Sequence, residues 1–357
     1  RTTIEEAEFE SDIEDLIEHE EMVVTVTNKG YIKRVALSSY RAQRRGGKGR
    51  AAMATRDEDF VGQLFVADTH RPVLFFTTRG MVYVLKVYKL PIATPQARGK
   101  PMVNLLPLLP GESIATMMPL PEDETVWDKM HVMFATSHGD VRRNALREFI
   151  NVKSNGKIAM KLVKTADEGP AELIGVKTCC EGQDVLLAVT NGKCIRFPIT
   201  DVREFASRSS TGVRGIRRSP NDRVVSMSIL DHQEIDIEVR GAYLKRAAAD
   251  RRSIGETLEE GLPKLEDNQA RALSEREEMI LTVTENGYGK RTSAYEYRIT
   301  RRGGYGIINI ETSARNGDVV ASFAVKPADQ LMLVTDAGKL IRIPVNDIRI
   351  AGRNTQG

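Results

Sequence analysis

The chain has 357 residues, of which 41% are hydrophobic and 28% charged, with a mean hydropathy of -0.31 and a formal net charge of +3. That length is too great for one small core and suits two domains or a repeat array. No apolar run approaches the roughly 20 residues of a membrane span, the acidic start has no apolar secretory segment, and three cysteines (Cys179, Cys180, Cys194) frame neither a disulfide scaffold nor a zinc knuckle. Such cysteine usage suits a reducing cytoplasm. A first residue of Arg1 rather than Met reads as a piece cut from a longer chain.

Charge is segregated along the chain. Residues 1–21 hold ten acids against Arg1 alone, a net of -9, which leaves +12 for the rest. They read as an acidic connector, with Ser11 to Glu20 suited to a short helix through Ile13, Leu16 and Ile17. Residues 235–278 hold eleven acids and eight bases, so the remainder carries about +15. A body this basic has a polyanion as its natural partner.

From residue 22 onward one pattern returns six times: an apolar run ending in Thr, a glycine turn, then a basic strand. The runs are Val23–Thr27, Val73–Thr77, His131–Thr136, Val185–Thr190, Met279–Thr284 and Leu331–Thr335. Their threonines are spaced by 50, 59, 54, 94 and 51 residues. An insertion at 235–277, with Ala247-Ala248-Ala249 and dense mixed charge, accounts for the long interval and reads as a partly helical surface excursion. Short continuous apolar runs indicate strands buried on both faces, and Gly30, Gly80, Gly139, Gly192, Gly287 and Gly338 suit tight hairpins that need φ > 0. Six β units of about fifty residues imply six blades around an axis. Their approximate bounds are 22–72, 73–129, 130–183, 184–234, 278–329 and 330–357, the last incomplete.

A second glycine lies 22 residues after the threonine in four copies (Gly49, Gly99, Gly306, Gly357), and cations cluster near it. Because a strand alternates its faces, the returning strands are expected to show their cations on one side, and the glycine elements to form a positive rim. The candidate anion contacts are Lys33, Arg34, Arg44, Arg45, Lys48, Arg50, Arg98, Lys100, Lys153, Lys157, Arg208, Arg214, Arg217, Arg218, Lys290, Arg291, Arg301 and Arg302.

Enzymatic readings are weaker. Gly46-Gly47-Lys48-Gly49 lacks the Ser or Thr and the spacing of a nucleotide-binding loop. Asp57-Glu58-Asp59 reads as a solvated loop, and His19, His70, His131, His138 and His232 show no ligand spacing, so no metal site is expected. Trp127 reads as a packing residue between blades, and Tyr31, Tyr83 and Tyr288 as strand residues.

The heptapeptide Gln43-Arg44-Arg45-Gly46-Gly47-Lys48-Gly49 resembles the gyrase A box, the signature of the C-terminal domain of DNA gyrase A subunits. Tyr31–Arg34, Val103–Leu108, Thr211–Arg217, Asn286–Thr292 and Val345–Gly357 are also similar to that family, so the resemblance covers the chain from about residue 12. It implies an all-β fold, a six-bladed β-pinwheel whose blades exchange strands, with the insertion between the fourth and fifth repeats as a departure. It also implies wrapping of double-stranded DNA with a positive hand, so that gyrase introduces negative supercoils. The implied partners are the N-terminal part of the same polypeptide and the gyrase B subunit in an A2B2 assembly, with no membrane; cleavage and ATP hydrolysis, with Mg, would lie outside this chain, which needs no cofactor of its own. The other readings are the sister domain of the topoisomerase IV A subunit, whose box is degenerate, and a protein-binding propeller.

Overall fold

The computed structural model describes residues 14–27, 29–39, 61–121, 123–152, 155–165, 168–252, 265–334 and 340–357. The first repeat supplies β1 (Glu21–Thr27), β2 (Tyr31–Ala36) and β3 (Val61–Asp68); the second supplies β4 (Pro72–Thr77), β5 (Met81–Lys86), β6 (Lys100–Pro101) and β7 (Ile114–Pro119). The third contains β8 (His131–Thr136), β9 (Asp140–Ala145), β10 (Lys157–Ile158), the small ribbon β11 (Lys164–Thr165) and β12 (Gly169–Pro170), and β13 (Leu173–Cys179). The fourth has β14 (Gln183–Val189), β15 (Lys193–Pro198), β16 (Val213–Arg214) and β17 (Val224–Asp231). Two helices follow, α1 (Ile237–Arg252) and α2 (Asp267–Glu275). The fifth repeat holds β18 (Met279–Thr284), β19 (Gly289–Ser293), β20 (Ile307–Ile308) and β21 (Val319–Val325), and the sixth holds β22 (Gln330–Val334) and β23 (Leu340–Pro344).

These strands form six successive antiparallel sheets, and each of the first four takes one strand from the next repeat. The orders are β3-β1-β2-β6, β10-β5-β4-β7, β13-β8-β9-β16 and β17-β14-β15-β20, followed by β19-β18-β21 and β22-β23. In the fifth sheet the tail of the sixth repeat takes the donor's place: the Arg291 amide donates to the Arg349 carbonyl and the Ala351 amide to the Arg291 carbonyl, both at 2.9 Å. The fold is therefore an all-β, six-bladed, strand-exchanged propeller, the pinwheel that the repeat pattern implies.

The apolar runs are continuous because each blade packs a neighbour on both faces. Along β4, Val73 and Phe75 join the cluster shared with blade one, through Val24, Val26 and Ile32. Leu74 and Phe76 point the other way, to Val132, Phe134 and Trp127. Along β14, Val185 and Leu187 meet blade three, while Leu186 and Ala188 meet blade five. Each fully buried phenylalanine contributes about 2–3 kcal/mol. Trp127 fills the second interblade layer, and its indole N–H donates to the Pro121 carbonyl at 3.0 Å.

The recurrent threonine closes the hairpin. Hydroxyls of Thr27, Thr77 and Thr136 accept from the amides of Tyr31, Met81 and Asp140 at 3.1, 3.2 and 3.1 Å. The second glycine has a steric reason. Gly306 has φ +73°, and a Cβ there would stand 2.2 Å from the Cys194 carbonyl oxygen; at Gly212 (φ +87°) it would stand 2.3 Å from that of Val141. The donated strand crosses the preceding blade's return strand so closely that no side chain fits.

The insertion is anchored at its base. Tyr243 of α1, Leu273 of α2 and Tyr295 form a small core, the Tyr243 hydroxyl donates to Glu277 at 2.8 Å, and the Tyr295 hydroxyl donates to the Leu273 carbonyl at 2.8 Å.

Within blade four, buried Asp184 accepts from Arg196 Nε at 2.8 Å and lies 2.7 Å from His232 Nδ1. The hydrogen bond to Asp184 raises the His232 pKa above its ordinary 6.5, against the opposing pull of burial. A raised folded-state pKa gives stability that is complete below about pH 6.5 and is lost as pH climbs through the raised value. The melting temperature should accordingly fall as pH rises above about 6.5, and His232→Gln should remove that part of the slope. An identical pH profile in the variant would show that the pair contributes nothing.

Candidate nucleic-acid interface

Consecutive blades meet edge to edge through their last strands. Gln63 of β3 donates to the Ala115 carbonyl of β7 at 3.4 Å, and Ser226 of β17 donates to the Ser322 carbonyl of β21 at 2.6 Å. That edge is the hub. The donated strands β6, β10, β16 and β20 occupy the opposite edge of their sheets, which is the perimeter.

The basic side chains fall into two populations. On the return strands, the third residue after the turn glycine is Lys33, Arg142 or Lys290, each completely buried. Lys33 Nζ donates to the carbonyls of Thr94, Pro95 and Ala97, the last at 2.9 Å. Lys290 Nζ donates to those of Gly352, Arg353 and Thr355 at 2.7, 2.7 and 3.2 Å. Arg142 donates to the Arg208 and Ser210 carbonyls. Burial pushes Lys290 down to about 8 and Arg142 down to about 10. The next residue repeats the theme: Arg34 caps the Leu90 and Tyr88 carbonyls at 2.8 and 3.0 Å, and Arg291 caps those of Ile348 and Asn346 at 2.7 and 3.1 Å. Lys33, Arg34, Lys290 and Arg291 are thus latches on the donated segment, not rim groups. The expectation that they reach an external anion is corrected, because their head groups are spent on backbone carbonyls of the segment that each return strand receives.

The second population lies on the donated segments. Arg98, Lys100, Arg214, Arg217 and Arg301 are exposed. Arg98 lies over the Tyr31 ring at 3.8 Å and Arg217 over that of Tyr305 at 5.6 Å, contacts that orient each guanidinium at the surface. The perimeters of blades three and four are joined: the Gly303 amide donates to the Gly215 carbonyl at 2.6 Å, the Arg217 amide to that of Gly304 at 2.8 Å, and Arg302 to that of Arg214 at 3.1 Å. Arg214, Arg217 and Arg301 therefore form one exposed basic stretch spanning two blades, with the half-buried Arg302 committed to the Asp201 and Arg214 carbonyls at 2.9 and 3.1 Å. Other candidates are partly committed: Arg218 pairs with Glu168, Arg208 donates to the Glu148 carbonyl at 3.0 Å, and Lys157 donates to that of Asn151. Gln43, Arg44, Arg45, Gly46, Gly47, Lys48, Gly49, Arg50 and Lys153 lie outside the described residues.

Among the exposed arginines that the sequence reading left out, three occupy equivalent positions. Arg203, Arg298 and Arg349 each precede the residue that bridges in parallel to a return-strand arginine, namely Glu204, Ile299 and Ile350. Their signal was the Arg two residues after the 3-10 turn that follows the return strand in the fourth, fifth and sixth repeats.

An exchanged-strand propeller with exposed arginines on and beside its donated strands defines the class of protein. The model of the family described as "DNA gyrase C-terminal domain, beta-propeller" matches residues 21–68, 71–121, 131–180, 183–231, 278–326 and 329–357, one match per repeat, and the chain belongs to that family. It is 52% identical to the DNA gyrase A subunit of Rickettsia bellii over 360 residues and 41% identical to that of Escherichia coli over 357, in each case across the whole of this chain. It spans 39% and 35% of those relatives' lengths. Among solved structures, a DNA gyrase A C-terminal domain superposes with a TM-score of 0.64 at 21% identity, covering 95% of this chain and 94% of that one. The C-terminal domain of a DNA topoisomerase IV gives 0.68 at 20% identity, covering 96% and 89%. The two structural likenesses establish the fold. No helix among the described residues is long and apolar enough to cross a membrane.

Proposed function

We propose that this chain binds duplex DNA without sequence preference and bends it around the basic perimeter with a positive hand. It thereby lets a gyrase holoenzyme introduce negative supercoils. The observation that carries this reading is the set of exposed arginines on and beside the donated strands, joined across blades three and four. Bending about 40 base pairs through half a turn costs on the order of 10 kcal/mol, so contacts must be spread over several blades, each releasing counterions. The described perimeter presents β edges and loops rather than a recognition helix, which suits phosphate contact over base readout.

In the same proposal the partners are the N-terminal part of the gyrase A polypeptide and the gyrase B subunit in A2B2. Strand cleavage, ATP hydrolysis and Mg belong to those parts, and the setting is the cytoplasmic nucleoid. Identity of 41–52% to gyrase A subunits favours this over the topoisomerase IV assignment.

Titration with linear random-sequence duplex should give log K falling linearly with log salt, at about 0.9 per phosphate neutralised and a slope of at least about 4. Nicked circles religated with the chain bound should shift their linking number in the positive direction. A chain left unbound at low ionic strength, or a shift of opposite sign, would refute the proposal.

A further inference from the structure

His19 and Asp68 stand 49 positions apart in the chain, yet the fold brings them together. The segment Glu14–Glu20 lies against the β3–β4 turn, where donor atoms of His19, Asp68 and His70 all fall within 4.8 Å of one another. Asp68 Oδ1 accepts from the His70 amide at 2.8 Å and stands 3.0 Å from His19 Nδ1 and 3.5 Å from His70 Nδ1. The two imidazole rings stack at 3.9 Å.

The hydrogen bonds around His70 fix what its ring can offer. Nε2 stands 3.2 Å from the Glu14 carbonyl, which only accepts, so Nε2 carries a proton. A neutral ring then turns the Nδ1 lone pair toward two oxygens, Asp68 Oδ1 and Thr69 Oγ1 at 3.2 Å. The Thr69 hydroxyl has already donated its hydrogen to the Glu18 carbonyl at 2.8 Å. Among the described residues no hydrogen-bond donor faces the lone pair, and three acceptors converge on one small volume. A carbonyl that fixes the tautomer and turns the other nitrogen inward is the usual outer support of a metal-binding histidine.

We propose that His19, Asp68 and His70 bind a divalent transition-metal ion of the zinc class. Two imidazoles and one carboxylate match Zn2+ with a fourth position for water, whereas Ca2+ and Mg2+ prefer all-oxygen shells. An open cleft of about 320 Å3 lined by Glu14, Asp15, Ile17, His19 and His70 gives the ion access and holds its water. The surrounding carboxylates of Glu14, Asp15, Glu18 and Glu20 raise the local cation concentration. His19, with its side chain 75% exposed, turns readily to complete the shell. The bound ion ties the acidic segment to the blade-one edge, and the site was illegible in the sequence because only the fold closes the gap between residues 19 and 68.

The test is calorimetric titration of the chelator-stripped chain with Zn2+, repeated with Co2+ followed by visible absorption. One ion should bind per chain and raise the melting temperature, with visible Co2+ bands of tetrahedral type. His19→Ala and His70→Ala should each weaken Zn2+ binding by at least about tenfold; the exposure of His19 makes its variant safe for folding. Absence of binding at about 1 mM Zn2+ would overturn the site and leave His70 as a simple proton-bearing partner of Asp68. Unchanged affinity in the His19→Ala/His70→Ala double variant would overturn it as well.

Discussion

Replacing Arg44, Arg45 and Lys48 together with alanine in a full-length gyrase A polypeptide should abolish negative supercoiling while relaxation and decatenation survive. The expectation follows from how the bending cost is met. With about 10 kcal/mol to offset, the proposed wrap needs contacts on several blades, and the box blade is proposed to be one that it cannot lose. Removing three phosphate contacts should also lower the salt slope of duplex binding by about 2.7. Arg214→Ala/Arg217→Ala on the described stretch should reduce the slope by about 1.8 without eliminating supercoiling. Supercoiling that persists undiminished in the triple variant would sever the box from the proposed wrap.

Lys290→Met should be the most damaging single change to the fold. The ammonium is fully buried and donates to the carbonyls of Gly352, Arg353 and Thr355 and to the Thr355 hydroxyl. With its pKa near 8 it is still mostly charged at pH 7. Methionine keeps the stem and removes every donor, so the half-buried tail loses the one side chain that ties these four oxygens to the sheet. The cost should be about 3–5 kcal/mol, a large share of the roughly 5–15 kcal/mol that holds a domain together. Lys290→Arg should recover most of it, since Arg142 performs the same task at the matching position of blade three. Denaturant unfolding measures the loss, and hydrogen exchange should show residues 349–357 opening first. A Lys290→Met chain as stable as the parent would mean that the latch holds nothing.

That latch marks where a sequence reading of the cations fails. Alternation along β2 and β19 says that Lys33 and Lys290 share a face, but it does not say what covers that face. The continuous apolar runs beside them already implied blades stacked on both sides, and a cation on such a strand meets backbone carbonyls or, as Arg196 does with Asp184, a buried side-chain acceptor. Arg98, Arg214 and Arg217 stay exposed because they ride on or beside short two-residue strands at the sheet edge, where one side is open. The second glycine was legible by its spacing of 22, whereas its cause, a carbonyl 2.2–2.4 Å from the missing Cβ at Gly306, Gly212 and Gly99, belongs to a neighbouring repeat.

The sequence by itself determined what is local or periodic: six β units, the threonine-glycine hairpins, the position of the insertion, and an excess of positive charge. Only the tertiary structure decided which strand completes which sheet, which cations are consumed in holding it there, and that His19 meets Asp68 and His70. The reason is range. Turn chemistry and strand alternation act over a few residues, whereas strand exchange and the capping of carbonyls join groups about 50 to 100 residues apart, and nothing in a local pattern fixes the partner.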